Sequence, residues 1–499
     1  MRPWSMPKRS SIAIPCLLVL CLLAAGCKTP DNASIGESDQ IILTPHDRIL
    51  VLAPHPDDEV LGCGGVIQRA VQLKLPVRVV VFTYGDNNQW SFLLYRKHPV
   101  LLPQGVRRMG LVRHDEAVAA AEALGLSSHD VIFLGYPDVG TMQIWKAHWG
   151  DSLPFRSMLT KATAVPYDNA LRPGAPYKGE DVLRDLSTVM REFRPTKVFV
   201  SHPADHMPDH AALYLFTQVA LWDLQAQGIR PKLYPYLVHF PHWPKPRGYQ
   251  PQQLLTPPRA LQDTVPWRSW ELTSEEIERK HRAIQAHRTQ YAYSAKYLLS
   301  FIRSNELFGD FPLVMLRPTD PAIPLASDHA EHVPLVREEL TEQEAAAFVG
   351  IEERFVRLEG DTVVLSLKFS RPLAEAVEAS LFVFGYRPDR PFAEMPKVHI
   401  KLGEFSQVVY DQERVLPKGA VQIVRQPTAL VVRVPLSLLG SPERLFTSAR
   451  TYLGDVPLDW VSWRVLELPN HLGKRSVDGQ DRRGYTPAKA LKSMDASRV

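Results

Sequence analysis

From residue 48 to about 300 the chain alternates short, unbroken apolar runs with helix-like runs, and no other feature limits the fold as strongly. "RILVLAP" (48–54) reads as a buried strand and "VLGCGGVIQRAVQLKL" as the helix after it. "VRVVVFT" (77–83), "DVIFLGYPD" (130–138), "KVFVSHP" (197–203) and "KLYPYLVHF" are further strands. Between and after them lie helical runs at 113–126, 179–193 and 209–228, and the helix "TSEEIERKHRAIQAHRTQY", whose capping box pairs Thr273 or Ser274 with Glu276 or a neighbour. Strands that are apolar throughout must be covered on both faces, and alternation with helices is how parallel sheets achieve this. The expected fold class is therefore α/β: a Rossmann-like, mostly parallel sheet with helices on both faces, over residues 46–316.

Two stretches, 86–110 and 139–178, are long and lack periodicity, and they carry Trp90, Trp145 and Trp149. Long loops of this kind are usually functional, so they are candidates for the walls of a cleft. The tryptophans read either as sugar-stacking surfaces or as buried anchors, with the anchor role favoured for at least two. A proline-bearing linker is expected at 317–332. Beyond it the apolar period becomes two, as in "TVVLSLKF", where Val363, Leu365, Leu367 and Phe369 share a face. Short strands divided by turn residues predict a C-terminal β-sandwich over 333–473, with carbohydrate binding as its candidate role. In "LDWVSWR", Trp460 and Trp463 read as core before sugar platform. A polar, basic tail at 474–499 is expected to be disordered.

The N-terminus has the anatomy of a secretory signal over 1–27: Arg2, Lys8 and Arg9 ahead of an apolar stretch ending Ala24-Ala25-Gly26-Cys27. That ending resembles a bacterial lipobox, which implies a lipid on Cys27, a polar tether over 28–45, and an exported protein held on a membrane facing the periplasm or cell exterior. The apolar stretch is short for a full membrane span. With Cys16 and Cys21 in the signal and Cys27 lipidated, Cys63 is the one cysteine left to the folded part, which excludes a cysteine-based zinc site. A net charge of +4 without a basic run before the tail gives no footprint for nucleic acid.

The chemistry concentrates in "VLAPHPDDEVLGCGG" (51–65), where His55, Asp57, Asp58 and Glu59 follow a buried strand. A second cluster, "SHPADHMPDHAAL", places His202, Asp205, His206, Asp209 and His210 after another buried strand. Carboxyl ends of strands are where open α/β sheets hold ligands, and two such ends, if adjacent, bring histidine and aspartate to one point. Crowded acids call for a positive charge. Zinc accepts imidazole and carboxylate ligands and leaves a position for water. Two ligands from the first loop and one from the second suffice, and a further carboxylate off the metal can take the proton of water. "GCGG" is not a dinucleotide fingerprint, since Ile67 stands where the third glycine belongs.

"APHPDDEVLGCGG" resembles the first motif, and "HPADHMPDH" the second, of the PIG-L/LmbE-like family of zinc-dependent N-acetylglucosaminyl deacetylases. "RHDEAVAAAEALG", "KHRAIQAHRTQ" and "NELF" are similar to weaker family segments. The resemblance covers about 46–316. It implies one Zn2+ on His55, Asp58 and His210, Asp57 as general base, Glu59 in support, and Arg113 and Glu116 as structural residues. It also implies an N-acetylated glycan or glycoconjugate as substrate, placed in the envelope or outside the cell by the export signal. One position departs from the pattern: Met207 stands where the family often has a histidine that stabilises the oxyanion or protonates the amine. His206 is the expected substitute, with His202 as the other candidate. The opposing reading is a glycan-binding lipoprotein that has lost catalysis through Met207.

Overall fold

A computed structural model describes residues 41–87, 102–325, 340–373 and 376–469. The signal sequence with Cys27, Trp90 and the tail 474–499 lie outside the described residues. No helix among the described residues is long and apolar enough to cross a membrane.

The first part of the chain is built on β1 (Ile49–Ala53), β2 (Val77–Thr83), β3 (Val131–Tyr136), β4 (Lys197–Ser201), β5 (Lys232–Tyr236), β6 (Arg268–Glu271) and β7 (Asn305–Phe308). They form one sheet in the order β3-β2-β1-β4-β5-β7-β6. β1 to β5 run parallel, and β7 and β6 close the edge antiparallel. Every residue of β1 and β4 is buried, as the apolar runs require. The helices are α1 (Asp58–Gln72), α2 (Pro103–Ala123), α3 (Thr141–Ala147), α4 (Gly179–Phe193), α5 (Pro208–Leu224), α6 (Ser274–Ala286) and α7 (Arg288–Leu298). α1 and α2 pack with α6, and α3 and α4 pack with α5. This is the expected α/β arrangement. The order places β1 between β2 and β4, so successive connections leave β1 in opposite directions and open a crevice at the carboxyl ends of β1 and β4.

Two expected helices differ. α2 begins at Pro103, well before the expected 113, so the end of the 86–110 stretch is helical; Pro103 in the first turn supplies the φ a helix start needs and gives up no bonded N–H. The long helix expected after Thr273 breaks at His287 (ψ 61°) into α6 and α7. Its start is as expected: the Thr273 hydroxyl accepts the Glu276 N–H (3.2 Å), and Glu276 accepts the Thr273 N–H (2.8 Å).

"GCGG" lies inside α1, and its small residues let the helix approach the sheet and α6. A Cβ on Gly62 would come within 2.3 Å of the Tyr236 ring, and one on Gly65 within 2.8 Å of Leu272. Glu306, in the "NELF" segment on β7, accepts the Gly65 N–H (2.7 Å) and pairs with Lys280 of α6 (2.7 Å). Cys63 is fully buried, and burial pushes its thiol well up, so it is a packing residue and not a nucleophile.

The C-terminal part is a β-sandwich of a five-stranded and a seven-stranded sheet. Pairs are antiparallel except for the edge strand Val314–Met315, which runs parallel to Val456–Glu467. Ile323–Pro324 joins the five-stranded sheet, so strand pairing occurs just before the stretch expected to link the domains and again within it. One face of the seven-stranded sheet packs on its partner sheet. The other meets the α/β part through aromatic rings. Trp145, fully buried on α3, lies 5.1–5.2 Å from the rings of Phe216, Phe392 and Phe446 and 6.1 Å from Trp463. Trp149 donates its indole N–H to the Trp145 carbonyl (2.7 Å) and is also fully buried. Both are anchors that join the two parts of the chain, and neither is open to a sugar. Trp463 is buried with them.

Candidate metal centre

The two motif loops meet because β1 and β4 are neighbours. His55 lies just beyond β1, Asp58 opens α1, and His210 sits in the first turn of α5. His55 Nδ1 is 3.2 Å from His210 Nε2 and 3.3 Å from Asp58 Oδ2, and Asp58 Oδ2 is 3.1 Å from His210 Nε2. Three ligand atoms around a tetrahedral zinc at about 2.0–2.1 Å would be separated by about 3.3–3.4 Å. The observed triangle matches that spacing to a few tenths of an ångström. These atoms are one of two His/Asp groups among the described residues close enough to share a metal ion; the other is His55 with Asp138 and Asp209.

The second group reads better as a brace for the first. His55 cannot offer Nδ1 to an ion unless its proton is on Nε2, and Nε2 faces Asp138 Oδ1 (3.2 Å) and Asp209 Oδ2 (3.3 Å). Asp209 is itself held by the Thr141 hydroxyl (2.5 Å) and the N–H groups of Val139 (2.5 Å) and Thr141 (3.1 Å). His210 has the same arrangement with the nitrogens exchanged: Nε2 joins the triangle and Nδ1 meets Asp205 Oδ2 at 3.1 Å. A carboxylate on the distal nitrogen fixes tautomer and ring orientation in metal-binding histidines.

The electrostatics lead the same way. Burial works against charge on His55, yet Asp138, Asp209 and Asp58 outweigh it and hold the imidazole well above its ordinary value. His210 is likewise pushed up to about 9 by Asp205 and Asp58 against burial. Asp58 is held well below the usual carboxylate range by His210 and His55, against its burial. Buried acids crowd this point, and a divalent cation bound here would offset them.

Asp57 is not in the triangle. Its backbone has φ 125°, unusual for any residue but glycine. Such strain costs about 1–3 kcal/mol and persists only where the surroundings fix it. They do so here: Glu59 accepts the Asp57 N–H (3.0 Å), the Asp57 carbonyl accepts from Val60 and Leu61 (3.0 Å each), and Arg113 donates to the preceding Pro56 carbonyl (2.8 Å). The other end of Glu59 faces His287 (3.3 Å). Burial, with Asp58 and Glu59 beside it, raises the Asp57 carboxyl to about 7 against the pull of Arg113 and His287. Glu59 and Arg113 are thus supports of the loop, and Glu116 secures α7 by accepting from the Thr289 hydroxyl (2.6 Å) and N–H (3.0 Å).

The two histidines expected to substitute at Met207 pack against aromatic rings. His202 is fully buried, its ring 5.5 Å from Trp267 and 5.1 Å from Phe311, and its Nδ1 accepts the Ala204 N–H (3.0 Å). The His206 ring lies 5.3 Å from Phe240 and 5.1 Å from Trp460. The histidine beside the triangle is His239, its ring 5.0 Å from that of His210. Asp205 Oδ2 accepts the His239 N–H (2.8 Å), so one carboxylate positions both histidines. Tyr297 holds His239 Nδ1 (3.1 Å) and donates to the Val238 carbonyl (2.8 Å). His239, Asp138 and Asp209 were legible by position: each follows a parallel strand at its carboxyl end. His239 was read as part of a strand that in fact stops at Tyr236.

Residues 50–221 match the family described as PIG-L, GlcNAc-PI de-N-acetylase, and this stretch of the chain is a PIG-L family domain. A 1D-myo-inositol 2-acetamido-2-deoxy-alpha-D-glucopyranoside deacetylase of Mycobacterium sp. (strain KMS) is 28% identical over 217 residues, covering 42% of this chain and 61% of the relative. The chain thus spans about three fifths of that relative's length. One of the same description from Kribbella flavida is 26% identical over 331 residues, 58% of this chain and 97% of the relative. Among solved structures, N,N'-diacetylchitobiose deacetylase from Pyrococcus horikoshii, complexed with its inhibitor, has 19% identity and a TM-score of 0.31, covering 50% of this chain and 75% of its own. The conserved protein TT1542 from Thermus thermophilus has 21% identity and a TM-score of 0.33, covering 55% and 100%.

Proposed function

We propose that the chain is a zinc-dependent hydrolase that removes the acetyl group from an N-acetylated amino sugar in an envelope or extracellular glycan, exported and tethered through a lipid on Cys27. The observation that carries the reading is the buried triangle of His55, Asp58 and His210 with a strained, partly buried Asp57 beside it but outside it. The family match and the names of the relatives support the acetamido sugar as the substrate class. His55 Nδ1, Asp58 Oδ2 and His210 Nε2 would hold the ion. An ion there would supply an acidified water and would polarise the acetamide carbonyl.

The chain's own residues do the rest. Asp57 takes a proton from water as the water oxygen bonds to the carbonyl carbon. The C–N bond then breaks, the proton held by Asp57 passes to the departing nitrogen, and acetate and a free amine result. Asp138, Asp209 and Asp205 keep both imidazoles in their ligating tautomers. Tyr297 has one hydroxyl proton; with that proton given to Val238, its oxygen accepts from His239 Nδ1 and leaves Nε2 to receive a substrate hydroxyl or amide N–H. The reading of Met207 as lost catalysis gains no support from the triangle and its braces, none of which involves the side chain at 207.

The test is acetate release from N-acetylglucosamine-containing glycans by purified protein, with and without chelator, for wild type and Asp57→Asn. The variant is expected to keep its metal and lose about a hundredfold or more in rate. Equal rates would remove Asp57 from the mechanism, and no acetate from any such glycan would overturn the reading.

A further inference from the structure

The loop that braces His210 has a second side. Pro203, His206 and Pro208 form one wall of a cavity of about 100 Å3, and Arg450, Trp460 and Trp463 of the seven-stranded sheet form the other. The cavity lies where the two parts of the chain meet, a preferred place for ligand sites. Arg450 and Trp460 are directly opposite across paired strands, so their side chains leave the same face of the sheet, and both line the cavity. The Trp460 ring is half-buried and approaches His206 to 5.1 Å.

The polar groups of this cavity are unbalanced. Arg450 Nε and the Trp463 indole N–H are buried without a protein partner, and among the described residues no carboxylate pairs with Arg450. Asp205 is the one acid in the wall, and it is committed to His210 Nδ1 and to the N–H groups of Met207, Val238 and His239. Two more cations belong to the same sheet face or press on it. Lys401 stands on the same face two strands from Arg450, since both pair with Ser380 on the strand between them. Lys146 of α3 has its ammonium over Phe382 (5.8 Å). Burial, then Arg450 and Lys401, lower Lys146 to about 7. Lys401 has Glu378 at 3.9 Å as its acid. An aromatic face beside unpaired donors suits a sugar ring, and the excess of positive charge selects one that carries an anion.

We propose that this interdomain cavity binds an anionic sugar residue, its ring on Trp460 and its carboxylate or phosphate on Arg450. The sugar class rests on the deacetylase reading; the anion preference rests on the charges alone. In a glycan substrate the site holds a residue outside the centre where the acetyl group is cleaved.

The experiment is isothermal titration of the full chain at low salt with D-glucuronate, D-glucose and inorganic phosphate. Glucuronate is expected to bind saturably, and D-glucose about tenfold or more weaker. Arg450→Gln and Trp460→Ala, each checked for an unchanged melting temperature, should each lose about tenfold, as loss of a charged hydrogen bond or a stacking surface does. Asp58→Asn should bind glucuronate as wild type does. Three outcomes overturn the proposal: no saturable glucuronate binding, binding indifferent to Arg450→Gln, or binding lost in Asp58→Asn. Phosphate bound through Arg450 without glucuronate binding also overturns it, as an anion site and not a sugar site. Glucuronate binding without deacetylation of any glycan leaves the cavity site standing and removes the deacetylase reading instead.

Discussion

Asp205 Oδ2 lies 3.1 Å from His210 Nδ1, and neither side chain is exposed. The same oxygen accepts two backbone N–H groups, from Val238 and His239, so its position is fixed from the end of β5. Asp205→Asn removes the charge and leaves the shape. If the carboxylate sets the ligating tautomer of His210, the variant should lose about 10–100-fold in zinc affinity while remaining folded. Competition against a fluorescent chelator measures this, and unchanged affinity would make Asp205 a loop brace alone.

In the proposed mechanism His239 faces the substrate and not the ion. His239→Phe keeps an aromatic ring against Tyr297 and His210 and removes both nitrogens. Its zinc content should equal wild type, and kcat/KM should fall about tenfold or more through the lost hydrogen bond. Lowered zinc content would assign His239 to the metal's support, and an unchanged kcat/KM would place it beyond the substrate.

Far from the site, Asp47 ties the entry to β1 to the start of β4. It pairs with Lys197 (2.6 Å) and accepts from the Thr196 hydroxyl (2.6 Å) and the Thr44 N–H (2.6 Å). Burial pushes its carboxyl up, but Lys197, Thr196 and Thr44 outweigh burial and lower it to about 2. A carboxyl that is more acidic folded than unfolded stabilises the fold above its unfolded value, near 4, and that contribution disappears as pH falls through about 2. Asp47→Asn should therefore destabilise by about 2 kcal/mol at pH 7. The difference from wild type should shrink from about pH 4 downward and be gone near pH 2. Urea unfolding of both proteins across that range checks the sign, and a difference that grows on acidification would contradict it.

The sheet class was legible because apolar runs such as 77–83 are incompatible with an exposed face, and His55, Asp58 and His210 stood out because each comes after such a run. Strand order was not legible. Nothing local says that β4 lies beside β1, yet that adjacency alone brings His210 to His55. Other long-range placements were hidden for the same reason. His206 is nearest to Met207 in sequence, but the chain turns it toward Trp460 of the distant sandwich, while His239 arrives from another strand. Trp145 and Trp149 could be read as anchors from their residue type, but what they anchor to lies more than two hundred residues further on. Side chains that act across sequence distance leave no periodic trace.

The most direct test is metal content by mass spectrometry after equilibrium dialysis against Zn2+, for wild type, Asp58→Ala, His210→Ala and Asp57→Asn. Wild type and Asp57→Asn should each hold about one ion per chain, and the two ligand variants well under half. Wild-type protein that holds no ion, or ligand variants that hold as much as wild type, would contradict the account.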